Sequence, residues 1–252
     1  MMLPRRRFLS GVAAGAGGLV LAGCDRLTDS EAFRPVLLSG ERLNYASQRL
    51  WLRDDTLARE YAPSEMSPVF RANGNTMPQG EDYARHLASR FADWRLVVDG
   101  MVARPLGVSL AQLHAMPARE QITRHDCVEG WSAIGKWTGP RVSALLAMAG
   151  ILSDARYIVF HCADSFGANR YYESIDLRDA MHPQTILAHT MNDQPLPVAH
   201  GAPIRLRVER QLGYKQAKYV MRIEARNTLE GIGRGRGGYW EDHVLYDWYA
   251  GI

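Results

Sequence analysis

The chain has 252 residues, 46% of them hydrophobic and 23% charged, with a formal charge of +3, enough to bury a core in one large domain or two small ones. Three of the basic residues, Arg5, Arg6 and Arg7, lie in a segment read below as removed; without them 27 basic residues face 27 acidic ones. A body so nearly neutral lacks the basic surface that nucleic-acid binding needs, and no nucleic-acid partner is expected.

Arg5-Arg6-Arg7-Phe8-Leu9 is a charged start, and Gly11 to Gly23 is a short apolar run rich in Gly and Ala. The run falls short of the roughly 20 residues that cross a bilayer and has the order of an export signal. The paired arginines before Phe8-Leu9 resemble a twin-arginine signal, an address read by the machinery that exports proteins already folded. Leu21-Ala22-Gly23-Cys24 resembles a bacterial lipobox, which would make Cys24 the lipidated first residue of a periplasmic protein held at the membrane. The alternative is a spare cysteine in an ordinary signal. The expected organisation is a signal over residues 1–23, a polar tether over 24–60 and a single domain over 61–252.

Ala62 to Gly80 is Pro-, Asn- and Gly-rich and reads as an extended or looped stretch. Trp94 to Val98 reads as a strand closed by the turn pair Asp99-Gly100. Ser109 is placed to cap a short helix with Leu110, Leu113 and Met116 on one face. After a loop around Cys127, Pro140 is expected to open a second helix whose Val142, Leu145, Leu146 and Met148 form a buried stripe. Tyr157 to Phe160, Tyr171 to Leu177 and Ile186 to Thr190 read as strands. Pro203 to Val208 and Tyr219 to Ile223 alternate as strands do. The aromatic tail, Gly231 to Ile252, is expected to pack back on the body. No repeat or internal linker is present in the sequence, so the fold class is α+β.

Beyond Cys24 the cysteines are Cys127 and Cys162, and in an oxidising compartment they could pair. Cys127 sits in Arg124-His125-Asp126-Cys127-Val128-Glu129-Gly130-Trp131-Ser132, just after the expected strand Gln121-Ile122-Thr123. A thiolate there can be a nucleophile, a metal ligand or half of a disulfide. His125 with Cys127, and His161 with Cys162, could supply mixed nitrogen and sulfur ligands, but their spacing fits no familiar zinc pattern. Gly231 to Gly238 imitates a dinucleotide loop, yet no apolar helix follows it. Ser132 and Ser165 lack a nucleophile-elbow setting.

The Cys127 stretch, with Trp137-Thr138-Gly139, resembles the molybdenum-binding segment of the sulfite oxidase and protein-methionine-sulfoxide reductase family. Tyr171-Tyr172-Glu173-Ser174, Ala180-Met181-His182-Pro183, Gly201-Ala202-Pro203-Ile204-Arg205-Leu206 and Gly213-Tyr214-Lys215-Gln216-Ala217-Lys218 follow in the family's order. The resemblance runs from about Pro68 to Arg226. It implies a sulfite-oxidase-type molybdopterin-binding fold, mixed sheets with flanking short helices. It also implies a molybdenum–molybdopterin cofactor whose protein ligand is Cys127, soft thiolate suiting such a metal.

By the same resemblance Arg71 and Asn73 belong to an early pterin-binding loop. Arg205, Lys215 and Lys218 would meet the pterin phosphate through charge-assisted bonds, and Gln216 and Ala217 would offer backbone groups. Tyr171 matches an active-site tyrosine, as proton donor or substrate contact, a buried structural tyrosine being the alternative. Cys162 and His200 are departures, standing where the reductases carry a threonine and an asparagine. Glu129 replaces the arginine that sulfite oxidases carry near the metal cysteine, and an acid there repels a dianion. The resemblance therefore implies an S- or N-oxide reductase, with sulfite-type oxidation or a cofactor-free envelope binding lipoprotein as alternatives. No Cys-x-x-Cys-His haem motif or flavin fingerprint is present. Electrons are thus expected from a separate partner, a membrane or soluble cytochrome.

Overall fold

A computed structural model describes residues 34–252 of the chain; the expected export signal over 1–23 and Cys24 lie outside the described residues. The chain divides into units of residues 1–48 and 49–252. Of the first, the described part is the start of helix α1 (Arg34–Trp51). No described helix is long and apolar enough to cross a membrane.

The second unit begins before the expected boundary at residue 61. Arg49 donates to Asp176 and Asp179 at 2.7 and 2.8 Å, and the Ala58 amide donates to Gln184 Oε1 at 2.7 Å. Glu60 pairs with Thr123. Residues 49–60 are therefore fastened to the domain, and residues 34–51 of the expected tether are helical. Polar anchors hold this stretch, and polar anchors leave no hydrophobic period to read.

The domain runs α2 (Glu81–Ala88), β1 (Arg95–Gly100), β2 (Leu106–Ser109), α3 (Leu110–Ala115), β3 (Ala118–Asp126), β4 (Ser132–Pro140), α4 (Val142–Ala149), β5 (Tyr157–Phe166) and β6 (Asn169–Asp176). It continues with α5 (Leu177–Ala180), β7 (Ile186–Ala188), β8 (Thr190–Met191), β9 (Gln194–Pro195), β10 (Arg205–Arg207), β11 (Val220–Arg226) and α6 (Tyr239–His243). A mixed sheet has the order β2-β1-β11-β5-β6, with β1 and β11 parallel. An antiparallel sheet has the order β3-β4-β8-β9, and β10 pairs with β7. The larger core gathers Trp94, Leu96, Leu145, Ile158, Phe160 and Ile223. A smaller one gathers Trp137, Ile186, Ala188, Met191 and Leu196. The α+β class with short flanking helices is as expected.

Local signals account for several elements. Ser109 Oγ accepts from the Gln112 amide while Gln112 Oε1 accepts from the Ser109 amide, a reciprocal box that starts α3. The second expected helix differs at both ends. Pro140 closes β4 rather than opening α4, and Met148 is exposed while Ala149 completes the buried face. Strand β4 itself was not expected. Its inward positions Ala133, Gly135, Trp137 and Gly139 are buried, as is the closing Pro140, and small residues at inward places hide the alternation that marks a strand. The tail does pack back: Tyr239, Tyr249 and Ala250 are buried.

Two buried ion clusters fix the segments that carry the site. Arg207 grips Glu209 through Nε and Nη2 at 2.9 and 2.6 Å, and Gln121 of β3 donates to the same carboxylate at 2.7 Å. Lys215 Nζ donates to Glu173 of β6 at 2.5 Å and to Glu241 of α6 at 2.6 Å, with all three side chains out of solvent. Burial lowers the Lys215 pKa, but Glu173 and Glu241 outweigh it and hold the ammonium charged. Burial and then the charge of Glu241 push the Glu173 pKa well above the carboxylate range, while Lys215 pulls it down. Removing one member strands buried charge. Lys215→Met is expected to cost about 3–5 kcal/mol in denaturant unfolding, with a loss below about 1 kcal/mol counting against this role.

Candidate active site

Cys127 is the first residue of the loop that joins β3 to β4. Asp126 pairs with Ser132 at the end of the ladder, and the Cys127 amide donates to the Trp131 carbonyl at 2.9 Å. Gly130 closes the turn at φ 84°, a backbone conformation that favours glycine. The hairpin thus aims the thiol at a cleft of about 150 Å³, whose lining also includes Asn73, Asp164, Arg205, Gln216 and Lys218. Asn73 Nδ2 lies 3.4 Å from the Cys127 sulfur. Burial raises the Cys127 pKa and the Glu129 carboxylate adds to it, while the Glu129 backbone and Asn73 oppose. Both Cys127 and Cys162 are free thiols; the disulfide reading is not realised.

The opposite wall comes from β10 and the segment before β11. Arg205 is 2% exposed, and its hydrogen-bond partners are the carbonyls of His200 and Gln216, at 3.2 and 3.3 Å. Its Nε is buried without a partner among the described residues, and Trp137 lies under the guanidinium, 5.0 Å to the ring centroid. Lys218 Nζ donates to the carbonyls of Asn73, Asn75 and Ala199, at 2.7 Å for Asn73 and 3.1 Å for Ala199. Neither cation meets a carboxylate among the described residues. Burial, then Arg207, pulls the Arg205 pKa down to about 9. Burial, then Arg205, pulls Lys218 down to about 7. Buried positive charge without a counter-ion is unstable by itself, so this wall is built to receive an anion.

His125 lies behind it, its Nδ1 3.2 Å from Arg207 Nη1. Burial first, then Arg207 and Arg205, lower its pKa well below the ordinary value, so it stays neutral. Gly213 is what lets the wall approach: a Cβ there would come within 2.5 Å of the His125 ring. His161, the other histidine of the zinc reading, is instead 2.8 Å from Glu224.

The expected site residues separate into groups. Cys127, Asn73, Tyr171, Arg205, Gln216, Ala217 and Lys218 all line the one cleft. Tyr171 donates its hydroxyl to the Tyr214 carbonyl at 2.7 Å, and burial holds its pKa well above the usual value. That arrangement makes it a wall residue rather than a proton donor. The Gln216 and Ala217 carbonyls accept from Arg205 and from the Leu206 amide, while Gln216 Oε1 is buried and unpartnered among the described residues.

Four expectations are revised. The Lys215 ammonium is committed to Glu173 and Glu241 and does not reach the cleft. Arg71 is exposed and outside the lining. His200 contributes its carbonyl to Arg205, its ring lies 5.8 Å from Phe70, and burial, then Arg205, pulls its pKa to about 4. Cys162 opens on a second cleft, of about 570 Å³, between Tyr83, Tyr171 and Met221. The β5 residues that do line the first cleft are Asp164, within the irregular stretch of the β5–β6 ladder between His161 and Ser165, and Phe166. Asp164 was missed because a polar residue continuing an apolar strand reads as the strand's end. Asn75, Phe166, Trp240 and Tyr246 also line the cleft; only the aromatic density of the tail hinted at the last two.

Comparison with known proteins identifies the family. Residues 84–230 match the oxidoreductase molybdopterin binding domain. A protein of Azospira oryzae, named "Putative protein-methionine-sulfoxide reductase subunit YedZ1", is 38% identical, the match covering 99% of this chain and 88% of that protein. The solved sulfane dehydrogenase SoxCD of Paracoccus pantotrophus matches with a TM-score of 0.49 and 23% identity, over 54% of this chain and 39% of that one. The chain belongs to the family of oxidoreductases built on the molybdopterin-binding domain.

Proposed function

We propose that this protein is an exported, molybdenum-dependent reductase of S-oxides, methionine sulfoxide being the leading substrate class. The observation that carries the reading is the pair Arg205, buried, and Lys218, half-buried, cations whose hydrogen-bond partners are carbonyls, facing the same cleft as the free thiol of Cys127. The unpartnered Arg205 Nε and Gln216 Oε1 are open valences of the kind an anionic, hydrogen-bonding cofactor fills. The residues present therefore fit a molybdopterin. Arg205 and Lys218 hold its phosphate and Cys127 is the protein ligand of its metal. When bound, the cofactor supplies a two-electron centre able to exchange an oxygen atom with substrate.

The chain's own residues bias the direction and the substrate. Glu129 lines the cleft with its carboxylate held by Trp131 Nε1 at 3.1 Å. A fixed negative charge there repels sulfite and tolerates a neutral sulfoxide. Phe166, Trp240, Tyr171 and Tyr246 add an aromatic wall, which favours a thioether product, since sulfur packs well against aromatic edges. The name of the Azospira oryzae relative includes both a methionine-sulfoxide reductase and the word subunit. Electrons then arrive from a separate partner, a membrane or soluble cytochrome. The twin-arginine-like start and the Cys24 lipobox support passage through that export route and a periplasmic, lipid-anchored site of action.

Cys127→Ser is expected to abolish sulfoxide reduction with a dye electron donor while shifting unfolding by less than about 2 kcal/mol; a fully active variant removes the ligand assignment. Arg205→Met separates cofactor binding from folding. Because no carboxylate is stranded, its cofactor-free form is expected to lose no more than about 2 kcal/mol. Its molybdenum and pterin content after expression should fall at least about tenfold, the equivalent of one lost charged hydrogen bond of about 1.5–3 kcal/mol. Wild-type occupancy in that variant would remove Arg205 from the phosphate site.

A further inference from the structure

We propose that Asn73 is a positioning residue that tunes the metal through the Cys127 sulfur, and that Lys218 holds it in place. The inference rests on the reading of Cys127 as metal ligand given above. Asn73 Nδ2 lies 3.4 Å from the Cys127 sulfur, and the two residues are 54 apart in the chain. The contact is therefore made by the fold and not by the hairpin that carries Cys127. Between Met66 and Gly80 the chain has neither helix nor strand, so backbone pairing does not keep the Asn73 amide on the sulfur.

Lys218 does that work. An ammonium has three N–H donors, and Lys218 Nζ gives them to the carbonyls of Asn73, Asn75 and Ala199. The Tyr219 hydroxyl donates to the Asn75 carbonyl at 3.0 Å. The Asn75 side chain in turn donates to the Ser165 carbonyl at 2.9 Å and to Asp164 Oδ2 at 3.2 Å. Gly74, at φ 60°, makes the turn that lets Asn73 reach the sulfur while Asn75 reaches the end of β5. Lys218 thus serves twice: its charge faces the cleft beside Arg205, and its hydrogens clasp the loop. With all three donors on carbonyls, the directional bonds to an anion fall to Arg205, whose Nε is open.

A hydrogen bond to a thiolate draws charge away from the sulfur, which then donates less to a metal. Such bonds to ligating sulfur are a lever on the reduction potential. The hairpin supplies one donor of its own, the Glu129 backbone, and Asn73 supplies a second from outside it. Asn73 therefore raises the midpoint potential of the metal, which favours its reduction by a cytochrome.

The first test uses the molybdenum-loaded protein without substrate. Asn73→Leu keeps the side-chain size and removes the donor; Asn73→Asp keeps the shape and puts an acceptor in its place. Losing one hydrogen bond to a charged sulfur is expected to move the metal's redox equilibrium about tenfold toward the oxidised form in Asn73→Leu. That is about 59 mV downward for a one-electron couple, and Asn73→Asp should go further. Tyr219→Phe removes one bond of the clasp, leaves Asn73, Arg205 and Lys218 in place, and should move the equilibrium the same way by a smaller factor. Asn73 variants that stay within about twofold of wild type, less than one such bond, overturn the proposal. So does loss of molybdenum from both with an unmoved potential in Tyr219→Phe, which makes Asn73 a cofactor contact only.

The second test uses the cofactor-free protein. The NMR signal of the Asn73 side-chain amide should shift in Cys127→Ala, and Lys218→Met should erase that response. An amide signal indifferent to Cys127→Ala overturns the contact, and a response that survives Lys218→Met overturns the clasp. Wild-type protein that takes up no molybdenum removes the reading of Cys127 as ligand and the tuning with it, even where the amide response is seen.

Discussion

The cleft depends on how four cations near its rear wall, three of them buried and Lys218 half-buried, are balanced. Lys215 and Arg207 are neutralised inside the protein, by Glu173 with Glu241 and by Glu209. Arg205 and Lys218 meet only carbonyl oxygens among the described residues. The first pair stabilises the fold: Lys215 ties the 213–218 segment to β6 and α6, and Arg207 with Glu209 ties β10 to Gln121 of β3. The second pair carries a cost, since burial without a counter-ion pulls both pKa values down. A protein retains such a cost where an anionic guest offsets it.

The geometry of the thiol follows from a different constraint. A hairpin loop between two long paired strands leaves Cys127 little freedom, so the sulfur is presented by backbone pairing rather than by side-chain packing. Asn73, reaching from the loop before α2, touches that sulfur through its amide and Lys218 through its carbonyl. One short residue thereby couples the two halves of the cleft. The outer wall is different again. Trp240 and Tyr246 come from the tail, beyond residue 230 where the match to the family domain ends.

Several elements were legible in the residues. The cap at Ser109, the buried run from Tyr157 and the returning aromatic tail all form as expected, because each is a local or strongly apolar signal. The ordered motifs after Cys127 pointed to the cleft residues Tyr171, Arg205 and Lys218, and the resemblance to an early pterin-binding loop pointed to Asn73. Strand β4 escaped notice because its inward positions are partly glycine. Residues 49–60 looked like a tether because their anchors are hydrogen bonds and ion pairs, which have no period.

What the sequence determined by itself was the inventory: a family-like order of motifs, a thiol in a glycine-bearing loop and a run of cations downstream. Which cations face the cleft was decided only by tertiary structure. Lys215 and Lys218 are three residues apart, yet one meets two carboxylates contributed by β6 and α6 and the other meets three carbonyls. Cys162 and Asp164 are two apart on one strand, both within the irregular stretch between His161 and Ser165, yet they line different clefts. Charge pairing and ladder register are set by segments distant in the chain, so no local pattern encodes them.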